Sequence, residues 1–271
     1  MNLRRVFLFL FAVFLASLTT SAHDTWLLPR QGHVSPRSKV ALDLTSGMAF
    51  PLLDTPIKPD RIDVAKCRLN GTTEDINDAS SAAKSLILTT SFREAGLATC
   101  WVELKPRQLE LTPDQVEEYF AEIDATPEVR KEWHDMKPPK RWREVYVKHT
   151  KTFITVGNEN DVSWSKPVGM SLEIVPDSDP GNLRAGDLFE VIVLRNGISL
   201  PSFPLGLVLE GNKHAEFYST NSEGRVAFKL KRAGRYMLRG TDLRRSTKTD
   251  LDWESDFTTL TFHVGPTRGR K

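Results

Sequence analysis

Only two of the 271 residues are cysteine, Cys67 and Cys100, and neither sits in a CxxC or CxH spacing. That argues against a zinc finger, a zinc ribbon or a thioredoxin-like redox pair. There is no Gly-x-Ser-x-Gly elbow, no His-Glu-x-x-His helix and no phosphate-binding loop, so the local signatures of hydrolases, zinc peptidases and nucleotide-dependent enzymes are missing. Charge of one sign is missing as well. The 37 basic residues are nearly matched by 35 acidic ones, which argues against a general nucleic-acid role. Beyond residue 22 no apolar run approaches the length of a membrane span.

Residues 1–22 carry the one strong apolar run. Arg4 and Arg5 precede Val6 to Ala16, and small residues follow, ending Thr20-Ser21-Ala22. This is the tripartite pattern of a secretory signal, with Thr20 and Ala22 suited to the −3 and −1 pockets of a signal peptidase. An uncleaved anchor is the alternative. Cleavage after Ala22 removes two arginines, equalises basic and acidic residues, and predicts a periplasmic or secreted protein beginning at His23. In an oxidising compartment Cys67 and Cys100 read as a structural disulfide, with free thiols as the alternative.

From His23 onward the text is strand and turn. Asp24–Leu28, Lys39–Leu44, residues 61–69, Ser85–Thr90 and Leu97–Leu104 are short β-type segments separated by Gly, Pro and the turn Asn70-Gly71. Asn70-Gly71-Thr72 also fits a glycosylation sequon, read here as a turn. The texture becomes helical at Thr112-Pro113, where a capping hydroxyl precedes proline at the first helical position and Val116, Tyr119, Phe120 and Ile123 recur at three- and four-residue spacing. A second short helix starts at Thr126-Pro127 and stops before Pro138. The strand Thr152–Val156 closes this unit, and residues 158–167 read as a linker. Six further strands then run from Met170 to Val264 at the spacing of a small sandwich. The expectation is a mainly β protein of two β-sandwich domains, immunoglobulin-like, with a barrel as the alternative for the first: 23–157 with a helical insert at 112–137, and 168–264, followed by a tail at 265–271.

The pieces His23-Asp24-x-Trp26-Leu27-x-Pro29, Glu144-x-Tyr146-x-Lys148-x-x-Lys151, Leu172-Glu173-Ile174-Val175-Pro176 and Arg184-Ala185-Gly186-Asp187 stand in a specific order. Thr220-Asn221-Ser222-Glu223-Gly224-Arg225, Ala233-Gly234-Arg235-Tyr236 and Asp252-Trp253-Glu254-Ser255 continue it. In that order and spacing the chain resembles an exported bacterial family classed as a domain of unknown function and often labelled a nickel or cobalt uptake component. The resemblance implies β-sandwich domains, the second carboxypeptidase-regulatory-like, a place in the periplasm, and nickel or cobalt handled with a transport or envelope partner; together with a chain starting at His23 it makes a divalent transition metal, nickel, cobalt or copper, the expected ligand. One departure stands out. Relatives place a histidine shortly after the Tyr236-type strand, where this chain has Arg239-Gly240-Thr241-Asp242.

The six histidines, His23, His33, His134, His149, His214 and His263, share no local metal spacing, so a metal site must be assembled by the fold. A histidine at the first position of a chain can chelate through both its α-amine and its imidazole. His23 is therefore the proposed anchor, with Asp242 and His149 as candidate partners and Asp24, Asp252 and Glu254 as further oxygen donors. The leading expectation is a non-enzymatic metal-binding accessory to uptake or homeostasis. The competing one is a structural or interaction module of the envelope without metal, and a minor one is a copper monooxygenase built on a terminal-histidine brace.

Overall fold

The computed structural model describes residues 23–159, 161–212 and 214–268; the export signal expected at 1–22 lies outside the described residues. In chain order the strands of the first half are β1 Asp24–Pro29, β2 His33–Val34, β3 Lys39–Gly47, β4 Thr55–Pro56, β5 Ile62–Leu69, β6 Thr72–Asp75, β7 Asp78–Ser81, β8 Leu86–Ser91, β9 Gly96–Leu104, β10 Arg107–Leu111 and β11 Trp142–Val156. Helices α1 Pro113–Glu122 and α2 Pro127–Asp135 lie between β10 and β11. The second half supplies β12 Leu172–Pro176, β13 Leu188–Arg195, β14 Ile198–Ser199, β15 Pro204–Leu209, β16 Glu216–Ser219, β17 Arg225–Lys229, β18 Gly234–Arg245 and β19 Trp253–Val264.

The fold is mainly β, as expected, and the local signals account for most of it. Asn70-Gly71 and Asn196-Gly197 are the hairpin turns whose paired positive φ values, 50° and 79° and then 49° and 78°, favour asparagine followed by glycine. Thr112 caps α1 through a reciprocal capping box with Gln115 and leaves Pro113 at the first turn.

The two expected sandwiches are present, but they share a sheet. Strands of both halves form one ten-stranded sheet in the order β16-β15-β18-β19-β11-β9-β5-β6, with β10 and β2 also pairing with β11. The join is a parallel pairing of β11 with β19 from Glu144–Trp253 to Thr152–Thr261. Alternation along these strands then assigns the layers. A sheet of β1, β3, β8 and β7, with β4 at its side, closes a core with Leu27, Leu42, Cys100, Val102 and Ile154. A sheet of β12, β13, β14 and β17 closes another with Phe189, Phe228, Tyr236, Leu260 and Phe262. Neighbours such as Phe153 and Ile154 enter different cores, so the two covering sheets lie on opposite faces of the shared one. The segment expected as a linker is partly ordered by a 3-10 turn, Ser163–Ser165, whose carbonyls and neighbours receive the Arg68 guanidinium.

The joint with the β1 sheet is made of hydroxyls. Among the described residues β1 pairs only with β3, so its other backbone edge needs partners. The Leu27 N–H donates to Thr150 Oγ1 at 3.0 Å, while Thr259 Oγ1 and Thr261 Oγ1 each donate at 2.6 Å, to the Thr25 and Leu27 carbonyls. These buried threonines also bond one another, Thr259 to Thr150 and Thr261 to Thr152. Threonine is the residue that can both favour a strand and satisfy a foreign backbone edge. Cys67 and Cys100 face each other across β5 and β9 and form a disulfide.

Candidate functional site

The β11–β19 seam gathers most of the buried ionisable groups, because both strands carry charged residues among otherwise apolar or threonine positions. His149, on the β12 side, is almost fully buried. Its Nε2 lies 2.9 Å from Asp256 Oδ1 and its Nδ1 3.1 Å from Glu103 Oε2. The Ser171 hydroxyl donates to the same Asp256 oxygen. Burial disfavours the imidazolium, but the hydrogen bonds and charges of Asp256 and Glu103 outweigh it and raise the pKa above 6.5. Asp256 meets the reverse balance. Burial raises it, and His149, Ser171 and Arg244 bring it down to about 2.

The network continues along the same face. Arg244 bridges Asp256 Oδ2 at 2.8 Å and Asp242 Oδ2 at 3.0 Å, and Arg195 holds the other oxygen of Asp242. One turn of alternation further on, Lys151 and Glu173 form a salt bridge with both side chains buried. Glu173 also accepts the backbone N–H groups of Val168 and Gly169.

The opposite face carries a second cluster. Glu144 is fully buried, accepting from Trp142 Nε1 at 2.8 Å, Tyr119 Oη at 3.0 Å and the Ser255 hydroxyl. Burial raises its pKa against these three donors. Trp142 stacks on Trp253 with ring centres 4.6 Å apart, which seats the helical insert on the seam. Lys148 donates to the His23 carbonyl and lies over the Tyr146 and Phe257 rings. Burial, opposed in part by Asp24, lowers its pKa to about 8. Arg239 pairs with Asp24 at 2.6 Å and donates to the Glu122 carbonyl at the end of α1.

These positions decide which sequence candidates meet. His149 and Asp242 belong to one network, through Asp256 and Arg244. His23 does not join them: its carbonyl accepts from Lys148, which alternates to the face opposite His149. Asp242, expected to take the place of a family histidine as partner to His23, also lies across the sheet; the residue reaching the His23–Asp24 end is Arg239. Both ring nitrogens of His149 already face carboxylate oxygens, and Asp242 is held by two guanidiniums, an environment that disfavours a further cation. Asp252 forks Arg143 and Glu254 neighbours Arg244. His134 and His214 are exposed, as are His33 and His263. Among the described residues no three His, Cys, Asp or Glu side chains converge as a metal site. The sequence reading missed Glu103, Asp256, Arg244 and Glu173. Their signal was a charge inside an apolar strand, visible at Asp256 within Trp253–Phe262.

Beside Asp24 a cleft of about 350 Å³ is lined by Met48, Glu122, His214, Met237 and Arg239. Its outer lip is the loop after β3. Phe50 is buried there with its ring edge-on to Trp26 at 5.8 Å, and Leu52 N–H closes on the Ala49 carbonyl. Met48 and Leu52 remain 60% and 67% exposed on that anchored loop.

A family model described as "Domain of unknown function (DUF4198)" matches residues 20–241. No curated protein matches the sequence. Among solved structures the chain is similar to the D0-D1 domain of intimin, at 9% identity over 88% of this chain and 97% of that one with a TM-score of 0.23. It is similar to domains A168-A170 of titin at 8% identity, covering 90% and 68% with a TM-score of 0.24. The Yersinia pseudotuberculosis adhesin InvE follows at 12% identity, covering 89% and 58% with a TM-score of 0.22. Superpositions this loose carry no argument; the sandwich assignment rests on the sheets of the chain itself. Among the described residues no helix is long and apolar enough to cross a membrane.

Proposed function

Because the chain belongs to this family of unknown function, we propose a role from its geometry: a non-enzymatic, exported β-sandwich module that presents a preformed apolar loop to a protein partner in the cell envelope. The observation that carries this reading is the anchored loop at Met48 and Leu52. Two large apolar side chains held in water by a buried Phe50 are a standing desolvation gain for any partner that covers them. The loop is already ordered, so covering it requires little further loss of backbone entropy.

The test places a photo-crosslinking amino acid at 48 or at 52 in cells exporting the full chain. The expected result is a covalent adduct of one defined mass from both positions, unchanged by a chelator and reduced by Leu52→Ser when the probe is at 48. No adduct at either position overturns the proposal.

A second reading, a divalent metal held at the amino end of β1, draws on the cleft beside Asp24, where His214 and Met48 offer nitrogen and sulfur donors suited to nickel, cobalt or copper. In a chain beginning at His23 the α-amine and imidazole would add a chelate there. Calorimetric titration of each metal into protein starting at His23, beside protein extended by one residue, distinguishes the cases. The metal reading expects tight binding only to the former; equal binding to both, or binding to neither, removes the anchor.

A further inference from the structure

The parallel pairing of β11 and β19 stops at Thr152–Thr261. Beyond it the strands part: β11 takes β2 as its neighbour at Thr155–His33 and Val156–Val34, while β19 ends at Val264 and the next residue, Gly265, bridges Arg184. The fork leaves a cavity of about 520 Å³ through the shared sheet, within the range of small-molecule sites. Its apolar wall is Leu28, Leu97, Phe153, Leu183 and Phe262, and its charged rim is Arg30, Arg184 and Arg235, with His33 and His263 beside them. No described Asp or Glu lines it.

The three guanidiniums are not equivalent. Arg30 forks Asp43 through Nε and Nη2 at 2.8 and 2.9 Å, and Arg235 holds Glu210 through Nε at 2.9 Å. Each pair is neutral overall, yet each arginine keeps N–H donors beyond those it uses. Arg184 pairs with no carboxylate among the described residues. Its guanidinium lies across Gly265, where a β-carbon would collide with it. Glycine at 265 therefore lets Arg184, which has no carboxylate partner among the described residues, rest over the cavity.

We infer that this fork is a binding site for an amphipathic monocarboxylate, with the acid group on Arg184 and the apolar body against Phe153, Phe262 and Leu183. One guanidinium without a described carboxylate partner matches one negative charge, and the planar fork of arginine matches a carboxylate in two parallel hydrogen bonds. The inference is independent of the loop at Met48 and of any metal at His23, since neither region lines the cavity.

The test is calorimetric titration of octanoate into the full chain, with octylammonium, octanol and octyl phosphate as comparison ligands. Octanoate is expected to bind saturably at one site, octanol about tenfold more weakly and octylammonium not at all. Arg184→Gln should weaken octanoate at least tenfold, and Gly265→Ala, which displaces the guanidinium without removing it, should weaken it several-fold; circular dichroism checks that both variants keep the fold. Absence of octanoate binding, equal binding by octylammonium, or unchanged affinity in both variants overturns the site. Tighter binding of octyl phosphate than of octanoate overturns the assignment of a single-charge head group.

Discussion

Burying an imidazole between two carboxylates ties its proton to the folded state. The His149 pKa is raised on folding, so its contribution is fully present below the unfolded value of 6.5 and is lost as pH climbs through the higher folded value. His149→Asn should therefore destabilise most at pH 5.5, by about 1.5 kcal/mol or more, and less at pH 9, as read by urea unfolding of both proteins at each pH. A penalty that does not change with pH would show that the imidazole is held neutral. At the same scale, Lys151→Met leaves Glu173 buried without its cation. Removing one partner of a buried pair costs about 3–5 kcal/mol, and the loss should appear as a lower urea midpoint at pH 7. Adding Glu173→Leu should recover only part of it, because the Val168 and Gly169 N–H groups then lose their acceptor.

At the scale of elements, the disulfide and the helical insert act at different ranges. Cys67–Cys100 closes a loop spanning 33 residues, and the chain-entropy relation assigns such a loop about 3–4 kcal/mol. Replacing both cysteines by alanine should lower the unfolding free energy by that order while leaving far-ultraviolet circular dichroism unchanged, since β5 and β9 remain paired along their length. Thr112→Ala acts only at the start of α1, where it removes the acceptor for the Gln115 N–H. About 1 kcal/mol is expected, and hydrogen exchange should report it within 113–122 and not in the sheets.

For the molecule as a whole, the shared sheet predicts that the two sandwiches lose structure together. The parallel seam, the threonine joint and the His149 network all cross between halves, so unfolding one half strips partners from the other. Calorimetry and urea unfolding followed by tryptophan fluorescence and by circular dichroism should give one coincident transition. Two resolved transitions would mean that the halves are independent domains joined by a linker, the arrangement read from the sequence.

Much of the fold was legible because its signals are local. Alternation fixed most strands of each half, Asn-Gly fixed two hairpin turns, and Thr-Pro fixed both helix starts, each through residues within a few positions of one another. What the tertiary structure alone decided is where those pieces meet. The pairing of β11 with β19 joins residues 109 apart in sequence at Thr150–Thr259, and no periodicity encodes such a contact. The same pairing turned His149 and Asp242 toward one face and His23 toward the other, put Arg239 rather than the expected Asp242 at the His23–Asp24 end, and opened the fork that Arg184 overlooks. Local residue chemistry specifies elements and their faces; which faces oppose each other is set by how buried area and backbone hydrogen bonds are satisfied over the whole chain.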